Sequence, residues 1–151
     1  MSFEKWRKIN NSLPNGVNLL AVSKGHPVGS IKELANLGQI HFGESRVQEA
    51  IPKTLELEDF KNLKWHFIGR LQSNKVRSIV RNFDFIHSID SFSLADRVSR
   101  ISEEENKCPK VMLQVKFRDD PNKGGFLPEQ LLKMWKEISC FEHYEVVGVM
   151  T

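Results

Sequence analysis

Six short apolar runs alternate with amphipathic stretches along the whole chain, and this alternation limits the fold more than any other feature. The runs cover residues 19–23, 40–44, 64–69, 85–89, 111–115 and 146–150. Each is bounded by glycine, proline or polar residues, as expected of strands buried in a parallel sheet. Strand and helix in strict alternation predict an α/β fold with right-handed crossover connections.

The number of β/α units favours part of a barrel. Six units in 151 residues give roughly 25 residues each, and eight such units reach roughly 200, the lower bound for a closed (β/α)8 barrel. We therefore expect a TIM-barrel type fold of which about six of eight units are present, in a single domain over residues 1–151 that is incomplete at the C-terminus. A complete open doubly wound sheet is the alternative that the pattern leaves open.

Local signals predict several helix boundaries. The first helix is expected to start at Ser2 as N-cap and to be broken by residues 10–16. Ser45 opens an S-x-x-Q pattern, which predicts a capping box, and Pro52 should kink or shorten the helix that follows. The helix that begins at Pro128 is expected to turn four side chains inward: Leu131, Leu132, Trp135 and Ile138.

Composition excludes some classes of protein. An apolar content of 40% and a charged content of 27% are ordinary for a soluble globular protein, and a net charge of +3 gives little support for nucleic-acid binding. The two cysteines form neither a disulfide framework nor a zinc-ligand spacing. No signal peptide or transmembrane run is evident, so we expect a cytoplasmic protein that does not bind membranes.

Polar side chains cluster where the predicted strands end, which is the functional edge in α/β folds. Lys24 follows the first strand directly. From position alone it is most simply a solvated cation; the sharper interpretation is a partly desolvated amine able to form a Schiff base. Glu44 has three candidate partners: Lys24, Arg46 and solvent. The other strand ends contribute Ser23, Ser45, His66, Gly69, His87, Ser88, Gln114 and Lys116.

A basic group on one predicted helix, Arg70, Lys75, Arg77 and Arg81, is most simply a solvated face. Phosphate or polyanion binding is the alternative, although neither a P-loop nor a dinucleotide fingerprint occurs. The sequence shows no catalytic or metal-ligand spacing, so we assign no catalytic residue and no metal ligand.

Four stretches together resemble a known family. They are Ala-Val-Ser-Lys at 21–24, Phe-Gly-Glu-Ser-Arg-Val-Gln-Glu at 42–49, Trp-His-Phe-Ile-Gly-Arg-Leu-Gln-Ser-Asn-Lys at 65–75 and Ile-His-Ser-Ile-Asp at 86–90. The residues of these stretches and their order along the chain resemble those of the YggS/PROSC pyridoxal phosphate homeostasis proteins, and the resemblance runs from about residue 19 to residue 151. The stretch 65–75 is the most specific of the four.

The resemblance implies a barrel like the N-terminal domain of alanine racemase, with pyridoxal 5′-phosphate (PLP) in its mouth. Lys24 matches the Schiff-base lysine of the family, and Ser45 and His66 are expected to contact the cofactor. The implied role is vitamin B6 homeostasis, holding PLP or delivering it to PLP-dependent apoenzymes, without catalytic turnover. A monomer is expected for the complete fold.

Two departures from the family pattern lead to further expectations. Ser45 stands where the family usually has asparagine, which shortens or removes a polar contact. The family's last two strands, with their phosphate-binding groups, have no counterpart here, so this chain is expected to bind PLP weakly or not at all. A racemase-type enzyme is the alternative function, but it requires a tyrosine base, and Tyr144 is predicted at the opposite end of the strands.

Overall fold

The computed structural model describes residues 3–118, 120 and 123–151; the predicted N-cap Ser2 lies outside them. Six parallel strands follow one another in the order β1-β2-β3-β4-β5-β6. This order confirms the α/β architecture. It differs from that of a doubly wound sheet, in which the order of the strands reverses partway across the sheet. The elements are α1 Phe3–Ser12, β1 Leu20–Val22, α2 Val28–Asn36, β2 His41–Glu44, α3 Val47–Glu56, β3 Lys64–Phe67, a 3-10 turn Ser73–Lys75, α4 Val76–Asn82, β4 Phe85–Ile89, α5 Phe92–Glu104, β5 Lys110–Gln114, α6 Pro128–Ser139 and β6 Glu145–Met150.

The chain divides into two compact units, residues 1–65 and 66–151. In the first unit, β1 and β2 pair in register from Leu20 with His41 to Val22 with Gly43. Helix α2 ends at Asn36. Gly38, just beyond its C-cap, has φ +98°, and Gln39 N–H donates back to the Leu34 carbonyl at 3.0 Å. A glycine in this left-handed conformation is the usual way to satisfy the last carbonyls of a helix.

Helix α1 ends at Ser12, inside the predicted break of residues 10–16. Another expectation about a helix boundary in the first unit is wrong. Helix α3 begins at Val47 with Arg46 in an extended conformation at the N-cap and no side-chain cap, so Ser45 does not open a capping box. Burial decides this start, because Val47 and Ala50 are both packed in the core.

Pro52 lies inside α3, as the sequence predicted, but the helix continues to Glu56. A proline removes one backbone donor and normally disfavours a helix. Here Ala50, Lys53 and Leu57 are buried on either side of it. Tertiary packing of these side chains therefore outweighs the local cost.

In the second unit, β3 to β6 form parallel pairs, and the register shifts between Ile86 and Ile89 and between Val111 and Met112. The strand β4 has the predicted bounds. The core of the second unit is built from aliphatic side chains of its strands and helices, which include Val76, Ile79, Val80, Ile86, Ile89, Val98, Val111, Leu113 and Ile138.

Helix α6 buries less than predicted. Leu131 and Ile138 face the core, but Leu132 is 77% exposed and Trp135 is 45% exposed. Each residue turns the helix by about 100°, which places Leu132 well to the side of the stripe that Leu131 defines. Trp135 is only partly covered, so the expectation of four inward side chains is wrong for these two.

The basic helix face is only partly solvated. Arg77 forms ion pairs with Glu104 and Glu105, and Arg81 pairs with Glu105. Hydrogen bonds from Arg81 and Arg77 lower the pKa of Glu105 to about 2. Both arginines are thus engaged with carboxylates of the same chain.

Candidate functional site

A tight turn at the end of β1 carries Lys24. Ser23 N–H continues the strand pairing by donating to the Gly43 carbonyl at 2.9 Å, and His26 N–H donates to the Ser23 carbonyl at 3.0 Å. Gly25 has φ +74° with open space around it. A positive φ at the third turn position favours glycine, so the sequence Ser-Lys-Gly-His fixes Lys24 at the tip.

The Lys24 side chain is exposed and makes no hydrogen bond or ion pair with any residue that the structure describes. It does not pair with Glu44, one of the partners that the sequence left open. The amine is therefore accessible and is not held by a carboxylate, as a nucleophilic amine requires.

Behind this turn lies a buried ion-pair network centred on Lys53. Its Nζ donates to Glu44 Oε1 at 2.8 Å, to Glu49 Oε1 at 2.9 Å and to the Ser23 carbonyl at 3.1 Å. Lys53 is only 6% exposed and Glu44 is 0% exposed. The Ser23 hydroxyl also donates to Glu44 Oε1, at 2.7 Å. The true partner of Glu44 is thus Lys53, rather than Lys24, Arg46 or solvent.

The charges of this network are well defined. Burial alone would lower the pKa of Lys53, but hydrogen bonds to Glu44 and Glu49 outweigh burial and raise it. The hydrogen bonds from Lys53 and from Gly25 lower the pKa of Glu49. Lys53 therefore stays protonated, so it has no free electron pair with which to attack a carbonyl group.

Lys53 was not among the residues predicted from the sequence. The one available signal was its spacing from Glu49, since a glutamate four residues before a lysine on a helix favours an ion pair. That spacing is common on solvated helix faces, and it does not indicate burial. The contacts to Glu44 and Ser23 depend on tertiary structure.

In the second unit, β3 and β4 bring two predicted histidines together. Nδ1 of His66 lies 2.8 Å from Nε2 of His87, and the His66 ring stacks on Phe85 with centroids 4.1 Å apart. Both histidines are buried, and burial lowers the pKa of His87. This contact is a hydrogen bond in which the N–H of one ring donates to the unprotonated nitrogen of the other.

A polar cleft of about 260 Å³ opens at the carboxyl ends of the strands of this unit. The Ser88 hydroxyl at its wall donates to the Gly69 carbonyl at 2.5 Å. The cleft is lined by Ile68, Gly69, Arg70, Ser88, Asp90, Gln114, Lys123, Gly124 and Met150. Three of the residues predicted at strand ends, Gly69, Ser88 and Gln114, thus line one cavity, as expected for an α/β fold.

The predicted site residues are distributed over both units. Lys24 and the half-buried Ser45 belong to the first, and His66 belongs to the second. In the described ranges, no group of three or more histidine, cysteine or acidic side chains is placed to hold a metal ion. The helices in those ranges are also too short or too polar to cross a membrane.

Tyr144 has a structural role. Its hydroxyl donates to the Ile138 carbonyl at 2.8 Å, near the end of α6, where helix carbonyls lack partners within the helix. The side chain is 5% exposed, and burial raises the pKa of Tyr144. The phenol thus remains protonated and is engaged in capping the helix.

Comparison with known proteins agrees with this fold. The family model of the alanine racemase N-terminal domain matches residues 3–151. An alanine racemase of Clostridium difficile shares the fold at a TM-score of 0.76 and 18% identity, over 97% of this chain and 38% of the other. The chain is thus an alanine racemase N-terminal-domain protein, with a barrel of the TIM type, as the sequence predicted.

Closer relatives identify the family. A pyridoxal phosphate homeostasis protein of Synechocystis sp. is 40% identical over 97% of this chain and 67% of its own length. One from Haemophilus influenzae is 39% identical over 95% of this chain and 61% of its own length. PipY of Synechococcus elongatus superimposes with a TM-score of 0.94 at 47% identity, over 97% of this chain and 68% of PipY. The chain belongs to the pyridoxal phosphate homeostasis protein family, and it spans about three fifths to two thirds of the length of these relatives.

Proposed function

We propose that this chain binds PLP covalently through Lys24 and serves in PLP homeostasis. The observation that carries the proposal is the exposed Lys24 amine, free of partners among the described residues, on a fixed turn at a strand end. A structure of PipY with PLP bound supports it, with 44% identity and a TM-score of 0.90 over 98% of this chain.

The residues of the first unit fit the chemistry of the cofactor. When bound, PLP supplies an aldehyde that condenses with a neutral primary amine, forming a C=N bond and releasing one water that carries the aldehyde oxygen and both amine protons. Lys24 is accessible for that condensation. Lys53, by contrast, donates three hydrogen bonds and keeps its positive charge. The chain thus offers one reactive lysine at this turn and makes its buried lysine unreactive.

Ser45 and His66 are the other proposed cofactor contacts. Ser45 follows β2 directly, and its half-buried hydroxyl is free of helix capping. His66 lies in β3, and its ring is held by His87 and Phe85. A hydroxyl and an imidazole are each suited to hydrogen-bond a polar substituent of the pyridine ring.

A binding role without turnover is the function that we favour. Racemase chemistry needs a group that takes a proton from the substrate Cα, and Tyr144 is buried and bound to the Ile138 carbonyl. We further propose that residues 1–151 belong to one cofactor-binding domain, that the complete fold is monomeric, that the protein is cytoplasmic, and that PLP-dependent apoenzymes receive the cofactor.

A spectroscopic titration tests the proposal. PLP is added to the wild-type chain, to Lys24→Met and to Lys32→Met, which removes an exposed lysine from α2 and serves as the matched control. We expect a saturable absorbance band of the covalent adduct for wild type and Lys32→Met, and its loss in Lys24→Met. Equal bands in all three proteins, or none in the wild type, would reject the assignment; the second result would favour a chain with little PLP binding.

The delivery role has its own assay. The PLP-loaded chain is mixed with a PLP-dependent apoenzyme, and recovered enzyme activity is compared with that from free PLP at the concentration that is in equilibrium with the loaded chain. Faster recovery from the loaded chain than from the free PLP in equilibrium with it would support delivery. Recovery that matches the free PLP alone would reduce the role to storage.

A further inference from the structure

The Lys53 network contacts the backbone on both sides of Lys24. On the N-terminal side, Lys53 Nζ donates to the Ser23 carbonyl at 3.1 Å. On the C-terminal side, Gly25 N–H donates to Glu49 Oε1 at 2.5 Å, and that same oxygen accepts from Lys53. One buried ammonium group thus ties together the two peptide groups that flank the reactive lysine.

We propose that Lys53 is a positioning residue for Lys24: it acts through Glu49 and the Ser23 carbonyl to hold the turn that presents the reactive amine. This inference rests on the proposed function and adds to it a role for a residue of α3. Lys53 does not touch the cofactor in this account, and it has no part in the chemical step.

The arrangement is more than an ordinary helix ion pair. An exposed glutamate–lysine pair at this spacing contributes little, but here the lysine also reaches Glu44, which is 0% exposed. Glu44 Oε2 has no hydrogen-bond partner among the described residues. Glu44 therefore depends on Lys53 for charge compensation, and an alternative position of the Lys53 amine would leave a buried carboxylate unpaired.

This dependence fixes the turn. Because Glu44 holds the Lys53 amine in place, the amine can hold Glu49 and the Ser23 carbonyl in place. Gly25 supplies the positive φ that the turn needs, but it also makes the backbone flexible. The hydrogen bond to Glu49 offsets that flexibility at the residue next to Lys24.

Removal of the amine should loosen the turn without unfolding the strand. Displacement of a reacting group by about 1 Å can cost up to about a hundredfold in reactivity. We expect Lys53→Met to weaken PLP binding roughly tenfold, which corresponds to about 1.4 kcal/mol. The backbone amide of Gly25 should exchange its hydrogen faster as well.

Four variants test the inference. Lys53→Met removes the amine, and Glu49→Ala removes the acceptor for Gly25 N–H. Glu49→Gln keeps a side-chain oxygen that can accept from Gly25 N–H, so this conservative variant should retain the properties that Glu49→Ala loses. Lys32→Met is the matched control for loss of a lysine. PLP affinity, the induced circular dichroism per borohydride-trapped adduct and hydrogen exchange at Gly25 are measured on folded protein.

The inference predicts weaker binding, reduced dichroism per adduct and faster exchange in Lys53→Met and Glu49→Ala, with Glu49→Gln and Lys32→Met close to wild type. Loss of thermal stability alone would not change the dichroism of adducts in folded molecules. If Lys53→Met does not fold, the comparison of Glu49→Ala with Glu49→Gln decides.

Two other results would overturn the inference in distinguishable ways. Wild-type affinity, dichroism and Gly25 exchange in both disruptive variants would remove the positioning role and leave the proposed function intact. Absence of any adduct on wild-type Lys24 would reject the proposed function, and the positioning role with it.

Discussion

The buried pair of Lys53 and Glu44 should be a large single contribution to the stability of the first unit. Lys53→Met removes three hydrogen bonds, two of them to carboxylates. It also leaves the Glu44 carboxyl group, which is 0% exposed, without its cationic partner. Removal of one partner of a buried ion pair costs about 3–5 kcal/mol in the free energy of unfolding. We expect a loss in that range, in contrast to less than about 0.5 kcal/mol for the exposed control Lys32→Met.

A double-mutant cycle separates the pair energy from the cost of an unpaired charge. Glu44→Gln keeps an acceptor for the Ser23 hydroxyl, which lies 2.7 Å away, and should be milder than Lys53→Met. Because the double variant leaves no buried charge on Glu44, it should recover about 1–3 kcal/mol relative to the sum of the single variants. Urea denaturation with linear extrapolation gives these values. A loss below about 1 kcal/mol for Lys53→Met, which is the range of exposed pairs, would refute this reasoning.

Three further predictions concern other parts of the fold. Tyr144→Phe removes the buried hydrogen bond to the Ile138 carbonyl and should lower the free energy of unfolding by about 1–2 kcal/mol, measured by urea denaturation. Gly25→Ala meets no atom within 4 Å, so only the left-handed backbone opposes it; we expect a loss of about 1 kcal/mol, and a stabilised variant would contradict the turn. Because burial lowers the pKa of His87, the unfolded state binds more protons between the unfolded value of about 6.5 and the lower folded value. The free energy of unfolding should therefore fall as the pH falls through that window, by at most about 1.4 kcal/mol per pH unit for this group. His87→Phe should flatten this dependence in denaturation curves below about pH 6.5, and an unchanged slope would assign the effect to another group.

Sequence reasoning predicted the strands well because each is a local apolar run bounded by breakers. Strand β4 matches its predicted bounds, Phe85–Ile89. The other strands differ from prediction by one or two residues at an end. The errors arise where tertiary packing overrides a local signal: Ser45 does not cap α3, although its sequence pattern suggests it, because burial of Val47 and Ala50 sets the start of that helix.

The candidate site was predictable in part. Lys24 was identified from its position after a strand and from family resemblance, and its exposure is a structural result. The role of Lys53 was not predictable, because its contacts to Glu44 and the Ser23 carbonyl join residues 9 and 30 positions apart. No sequence pattern indicates that a lysine on a helix is buried against two carboxylates, so this part of the site required the structure.

Borohydride trapping tests the central claim most directly. The 151-residue chain is incubated with PLP, reduced so that hydride converts the C=N bond to a stable secondary amine, digested and mapped by mass spectrometry. At saturating PLP, we expect label on Lys24 in preference to the exposed lysines and none on Lys53. Label scattered over the exposed lysines, or no label at Lys24, would contradict this expectation.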